Sequence, residues 1–512
     1  MAFAAEAHQA EAGDPRPAGQ DAPEQRGRAR RTAPAAPAEE AQVNAAAALE
    51  LPLVRLGQLL RTRQVSAIAL AEEALRRLEE RGRPLNAVAS LMPERARREA
   101  ARADEEIAAG RWRGPLHGVP YGAKDLLAAR GAPTTWGAPF YRSRVIDEDA
   151  GAIEKLSAAG AVLVAKLSMV QLAGAFGYYR AAASLQGPGK NPWDPSRWSG
   201  GSSSGSGSAV AARCVPFALG SETWGSILTP SAFCGVVGLR PTFGSVTRRG
   251  AMALAWSMDK IGPLCTRAED ALIVLAALAG HDPRDPHTVE GQPPLKAGRP
   301  LNRKPRIGVC IPQLLEKQDG EIFAAHQALV RELGRIAQLE KIDVPAPELP
   351  SDGVALLTVN VEEAGAFEDL IESGQLAELQ STDAVAAAQA DRAITAADHL
   401  KSQRVRGKLR EAYARLFEKF DAVCTPALGF LAAVATPLEA DLETLLAGDD
   451  PFGSAGNLLG LPSIALPGPL AHGLPTAMQL LGPPWSEELL CATAAALEQV
   501  TPWANARPPR AS

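Results

Sequence analysis

The sequence has no apolar run long enough to span a bilayer, no block of like charge, and no cysteine pair at metal-binding or redox spacing. Each absence excludes a class of protein. The longest helix-like apolar stretch, 271–279, is core-sized, far short of the roughly 18 residues a crossing needs, so no transmembrane helix is expected. The 53 Lys and Arg stand against 58 Asp and Glu, a net charge of −5. With no long basic run, nothing marks a nucleic-acid footprint or docking to an anionic membrane, and a small, largely uncharged substrate is expected. Six cysteines in 512 residues, Cys214, Cys234, Cys265, Cys310, Cys424 and Cys491, lie far apart in a chain long enough to fold without staples. They read as buried thiols in a reducing compartment, with no metal site. The first residues carry no basic segment followed by an apolar one, so the expected location is cytoplasmic.

Large aliphatic side chains are also nearly absent from residues 1–46, which hold mainly Ala, Pro, Glu, Gln and Arg. Such a composition buries too little surface to offset the entropy of ordering, and a disordered tail is expected there. From Leu51 a helical period sets in, through Leu56, Leu59, Leu60, Ile68, Leu75 and Leu78, with Ser66 placed to cap a helix. Apolar strand candidates follow at 160–165, 215–219, 306–310, 421–425 and 463–466, and helical patterns at 324–339 and 384–420. Strands alternating with helices predict an α/β sheet covered on both faces. The Pro- and Gly-rich stretch 280–300 reads as an exposed loop or a boundary.

The chemistry concentrates in 198–242, WSGGSSSGSGSAVAARCVPFALGSETWGSILTPSAFCGVVGLRPT. By itself 199–208 is a flexible linker composition, but it runs directly into a helix-like AVAA, a strand-like VPFAL and a second Gly/Ser turn, 220–226. Closely spaced glycines let backbone N–H groups converge on a point, which is how an oxyanion nest forms, and a serine at its end is a nucleophile candidate. Serine nucleophiles usually take a histidine base, yet none of the seven histidines stands in a context that suits one: His8 falls in the tail, His281 and His287 in the Pro-rich loop, His326 and His399 on charged helices, and His117 and His472 in turns. Lys124 ends a weakly polar segment, GVPYGAKD, where burial would depress its pKa and leave a neutral base. A surface lysine paired with an acid is the plainer alternative.

Competing motifs fail on context. Residues 201–205 satisfy G-x-S-x-G, but a Pro-broken loop precedes them where a nucleophile elbow needs a strand. Residues 257–260 match S-x-x-K without the companion S-D-N and K-T-G, and 187–190 lack phosphate-loop spacing.

At 200–205 (GGSSSG), 220–227 (GSETWGSI), Pro230 and 234–242 (CGVVGLRPT), the sequence resembles the amidase signature hydrolases. The likeness extends to 118–125, 166–173, 191–194, 258–264, 421–426, 457–467 and 473–475. It implies one large α/β domain over 47–505, with a mixed central sheet between helices, and a metal- and cofactor-free amide hydrolase. It further implies a triad of Lys124, Ser202 and Ser226 with a cis peptide at Ser202, and an oxyanion hole from the N–H groups of Thr223, Trp224, Gly225 and Ser226. Ser203 would support the proton relay, and Ala173, Gly174 and Ala175 would lie beside the scissile group.

Two positions depart from the family's pattern. Trp224 stands where a small residue is usual, and Leu228 replaces a frequent Arg. The Trp224 indole has two destinations, the substrate pocket or the core; adjoining the nucleophile, it is expected to bind substrate and shape the acyl or leaving-group pocket, which with no cation at 228 suits an apolar or aryl amide, with esters or carbamates also in reach of such a core. The resemblance also admits the amidase-type glutaminase component of a tRNA-dependent amidotransferase, and an inactive binding scaffold. A homodimer is the ordinary prior. From composition, truncation to begin near Val43 should leave melting temperature and activity unchanged, measured by thermal unfolding and amide turnover; loss of folding would show that the tail docks.

Overall fold

The computed structural model describes residues 43–176, 180–311, 319–381, 383–435 and 451–509. Most of the expected tail lies outside them. Its last residues, however, belong to the fold: Val43 N–H donates to Gln64 O, and Asn44 caps a short helix Ala45–Ala48 that ends in buried Ala48.

Eleven strands among the described residues form one mixed sheet: β1 Val88–Leu91, β2 Pro120–Lys124, β3 Val162–Leu167, β4 Phe217–Glu222, β5 Val237–Arg240, β6 Lys260–Cys265, β7 Arg306–Val309, β8 Gln338–Lys341, β9 Ala422–Pro426, β10 Ser463–Ala471 and β11 Leu474–Leu481. Their order is β1-β3-β2-β4-β6-β5-β10-β11-β9-β7-β8. The trios β3-β2-β4 and β9-β7-β8 are parallel, and the strands between them are antiparallel. In β2, β3 and β6 every residue is buried, so both faces of the sheet are covered, as expected of strands connected through helices. The edge strand β8, QLEK, is largely exposed, and its charges discourage further pairing. Register between β2 and β4 is marked by Tyr121 opposite Phe217, rings stacked with centroids 5.1 Å apart.

The expected strands at 160–165, 215–219, 306–310, 421–425 and 463–466 correspond to β3, β4, β7, β9 and β10. The helical reading of 384–420 needs division. Two helices occur, Ala384–Arg392 and Ala396–Lys419, because Thr395 turns out of the first and caps the second by accepting from Asp398 N–H at 3.1 Å. The stretch 280–300 is no domain boundary: Asp282 and Asp285 accept hydrogen bonds from the Thr247 hydroxyl at 3.1 and 3.4 Å, fastening it to the body. All six cysteines are free thiols, five of them buried.

The helix Ser204–Ala211 explains the Gly/Ser-rich composition. All eight residues are buried, and a Cβ on Gly205 would stand 2.4 Å from Ala87 O and 2.5 Å from Ser168 N. Two backbones touch there, and only glycine leaves room. Two of its three serine hydroxyls are satisfied inside, Ser206 donating to Leu219 O and Ser208 to Lys190 O, both at 2.9 Å.

The ends of β2 and β3 are joined by an ion pair with both partners buried. Lys166 Nζ donates to Asp125 Oδ1 at 2.7 Å and to Thr134 Oγ1 at 3.1 Å, while Asp125 Oδ2 accepts from Thr135 N–H at 3.1 Å and from its hydroxyl. Removing one partner strands the other charge. Lys166→Met should therefore cost about 3–5 kcal/mol of unfolding free energy, read by urea denaturation.

Candidate active site

Strand β2, third in the sheet order, ends at Lys124, which has no exposed surface. Its amine donates to Ser202 Oγ at 2.7 Å and to Ser221 Oγ at 2.9 Å, with Ser221 O at 3.4 Å. Burial brings the Lys124 pKa down from 10.5 to about 7, against the opposing influence of Asp259 and Glu222. The Gly201–Ser202 peptide is cis. Ser203, expected to support a relay, acts on Ser221: its hydroxyl donates to Ser221 O at 3.2 Å and accepts from Ser221 N–H at 3.3 Å.

Ser226 lies on the turn between β4 and the helix Leu228–Cys234, and is held from behind by Ser203 N–H, which donates to Ser226 O at 3.3 Å. The turn requires Gly225, whose φ is +82° and whose Cβ, if present, would be 2.9 Å from Thr229 Oγ1. The backbone N–H groups of Trp224, Gly225 and Ser226 donate to no described residue, nor does the Ser226 hydroxyl. Below the turn sits Glu222. Its Oε2 accepts from Ile227 and Leu228 N–H at 2.8 and 2.9 Å, and its Oε1 from Arg240 Nη1 at 2.9 Å, with both charged residues wholly buried. Burial is the largest influence on Glu222 and pushes its pKa up, but Arg240 and Lys260 more than offset it and hold the carboxyl below its ordinary value.

A third buried lysine, Lys260, stands opposite Glu222 across β4 and β6, with Nζ 3.5 Å from Thr223 O. Burial, reinforced by Arg240, drives its amine well below the ordinary range. The Thr223 hydroxyl donates to Asp259 Oδ1 at 2.5 Å, and Asp259 Oδ2 accepts from Leu254 and Ala255 N–H. A cavity of about 300 Å³ opens on this group, lined by Ala173, Ser221, Thr223, Asp259 and Lys260, by apolar Leu126, Met252, Leu254, Trp256 and Ile261, and by Arg248, Arg249, Arg284 and His287.

Of the residues expected beside the scissile group, Ala173 lines that cavity, Gly174 is partly exposed and Ala175 is fully buried. Trp224, expected to shape the pocket, packs instead on the core. Its half-buried indole packs on a cluster of Ala255, Met258, Val354, Ala355, Leu409 and Leu458, where helices Ser351–Ala366 and Ala396–Lys419 supply an apolar shelf, and it is not among the cavity-lining residues. Leu228 is buried, its N–H held by Glu222. Among the histidines, His117 is buried with Glu106 3.3 Å from its Nε2, and no described group of His, Cys, Asp and Glu could hold a metal.

The family model for Amidase matches residues 69–491. The chain belongs to the amidase signature family. Among curated relatives, the putative amidase AmiD of Mycobacterium tuberculosis is 36% identical over 472 residues, covering 90% of this chain and 96% of the relative. A glutamyl-tRNA(Gln) amidotransferase subunit from Methylococcus capsulatus is 34% identical over 492 residues, covering 89% and 98%. Among solved structures, the peptide amidase of Stenotrophomonas maltophilia superposes with a TM-score of 0.76 at 29% identity, covering 90% of this chain and 98% of the other. The fold is thus that of amidase signature enzymes. Ser221, Glu222, Asp259, Lys260 and Arg240 all fall within sequence segments that carry the family likeness, but no chemical pattern in the sequence assigns them their partners.

The Lys124 titration has a signed consequence for this amidase. The folded chain releases this proton at about pH 7 and the unfolded chain near 10.5, so between those values unfolding takes up a proton and the lysine's contribution to stability rises with pH. Lys124→Met should flatten the pH dependence of the unfolding free energy between about pH 7 and about pH 9, by up to about 1.4 kcal/mol per pH unit, measured by urea denaturation.

Proposed function

We propose that this amidase hydrolyses a carboxylic amide through a serine acyl-enzyme, with Ser226 as nucleophile, Ser202 as proton relay and Lys124 as base. The observation that carries the reading is the buried Lys124 amine, with a pKa of about 7, in contact with Ser202 Oγ on one side and Ser221 on the other. A neutral amine has two N–H donors and one lone pair. Two donors suit Ser221 Oγ and Ser221 O, and the lone pair accepts the Ser202 hydroxyl proton.

Ser226 Oγ attacks the amide carbon as its proton passes to Ser202 and that of Ser202 to Lys124. The carbonyl oxygen gains the negative charge, met by the N–H groups of the Thr223–Ser226 turn. Losing one such donor costs about 2.7–4 kcal/mol in comparable sites. Collapse of the tetrahedral adduct breaks the C–N bond, and Lys124 returns the proton through Ser202 to the departing amine. Water then repeats the sequence on the acyl-enzyme and restores Ser226. Every proton in this cycle moves between groups of this chain, the substrate and water.

The substrate is an apolar or aryl amide, with esters or carbamates also within reach. Leu126, Met252, Leu254, Ile261 and the indole of Trp256 form an apolar wall in the cavity that also holds Ala173 and Ser221. Trp256 is 44% exposed, so an aromatic surface stands at the cavity's border with solvent. One second reading has a specific observation behind it: the likeness to the glutamyl-tRNA(Gln) amidotransferase component supports a glutaminase working with a partner protein. Leu228 in place of the frequent Arg weighs against it, and partner-stimulated release of ammonia from glutamine would support it.

Ser226→Ala should drop amide turnover below about one per cent of wild type with the fold intact, since binding and the oxyanion hole alone support far less. Lys124→Ala should impair amides more than activated aryl esters, because an amine leaving group needs a returned proton and an aryloxide does not. Steady-state rates on a matched amide and ester check both; equal losses would make Lys124 structural.

A further inference from the structure

Three arginines line the cavity, and they differ in how their charge is met. Arg249 reaches Glu154 at 2.5 Å and Asp282 at 3.6 Å, and Arg284 reaches the same two carboxylates at 2.9 and 3.0 Å. Arg248 forms no ion pair among the described residues. Its guanidinium is nonetheless fixed: Nη1 donates to Trp256 O at 2.6 Å and Asp259 O at 3.3 Å, its carbon lies 4.9 Å from the Phe243 ring centroid, and its backbone N–H donates to Asp285 Oδ2 at 2.6 Å. Nε and Nη2, which share the opposite edge, donate to no described residue. The carboxylate of Asp259 is already engaged by Thr223 Oγ1, Leu254 N–H and Ala255 N–H, and that of Asp285 by the Arg248 and His287 amides and Thr247 Oγ1.

A part-buried cation with one edge anchored and the other open is preorganised for a ligand. Nε–H and Nη2–H run parallel at the spacing of two carboxylate oxygens, and a bidentate pair of this kind is among the stronger charge-assisted contacts. Water alone would satisfy the edge but would need no such anchoring. We infer that Arg248 is a specificity-determining residue, and that the apolar or aryl amide cleaved here bears in addition a carboxylate on its acyl or amine part, held by the Nε/Nη2 edge while the apolar wall takes the rest. This rests on the amide-hydrolase reading for its turnover but not for its binding.

The test pairs each carboxylate-bearing amide with a neutral amide of matched shape: succinamate, glutaramate and adipamate against butanamide, pentanamide and hexanamide, and N-benzoylglycine against N-propylbenzamide. At least one carboxylate member should exceed its partner in kcat/KM by at least about tenfold, mainly through KM, and Arg248→Met should shrink that ratio by at least about tenfold, with Arg248→Lys in between because it keeps the charge and loses the fork. Glutarate binding, read by calorimetry on wild type against the neutral pentane-1,5-diol, needs neither turnover nor a folded variant and should favour glutarate. Equal treatment of both members of every pair, or an Arg248→Met variant that slows both alike, overturns the assignment, as does glutarate binding no tighter than pentane-1,5-diol. Failure of the hydrolase reading looks different: no pair is cleaved and Ser226 resists a fluorophosphonate, while glutarate still binds through Arg248.

Discussion

One carboxylate holds the site together. Glu222 is buried at the end of β4, and each of its oxygens is assigned: one to the two backbone amides that open the helix Leu228–Cys234, the other to Arg240 at the end of β5. Arg240 Nε in turn donates to Leu461 O at 3.0 Å, just ahead of β10. A single buried acid thus fixes the turn that bears Ser226, ties that turn to the neighbouring strand, and reaches the C-terminal part of the sheet. A buried charge of this kind is costly unless fully paired. Here the pairing is complete on the carboxylate side, and the geometry of the turn follows from it.

Lys124 represents the opposite arrangement. It is equally buried, yet among the described residues it has no carboxylate within ion-pairing distance, only hydroxyl and carbonyl oxygens. The ion pair that β2 and β3 do make is displaced by one residue, to Asp125 and Lys166. Two adjacent residues at one strand end therefore divide the work, Asp125 neutralising a neighbouring lysine and Lys124 being left unneutralised. The difference between an ion-paired and an unpaired buried lysine here lies in which oxygens surround it.

Much of this was legible in the sequence, and what was not has identifiable causes. Five strands with continuous apolar character stood out. β2 and β6 did not, because PYGAK and KIGPLC break their apolar runs with Gly, Lys and Pro, and Pro263 argues against a central strand while sitting in one. The close approach at Gly205 is a tertiary fact that composition mimics as a linker. The groupings of Ser221 with Lys124, of Glu222 with Arg240 and of Thr223 with Asp259 depend on strand register, which period and propensity do not specify across so many intervening residues. Trp224 was ambiguous for a simpler reason: its shelf is built by helices more than a hundred residues later in the chain.

Trp224 couples two parts of the molecule that lie far apart in the chain. Its backbone belongs to the turn before Ser226, whereas its indole belongs to a layer made by helices Ser351–Ala366 and Ala396–Lys419. The turn and that helical layer are thus mechanically joined through one side chain. Drift in the helical layer can therefore tilt this chain's turn without altering any letter of its signature, and a substitution at 354, 355 or 409 would reach Ser226 from outside the motif.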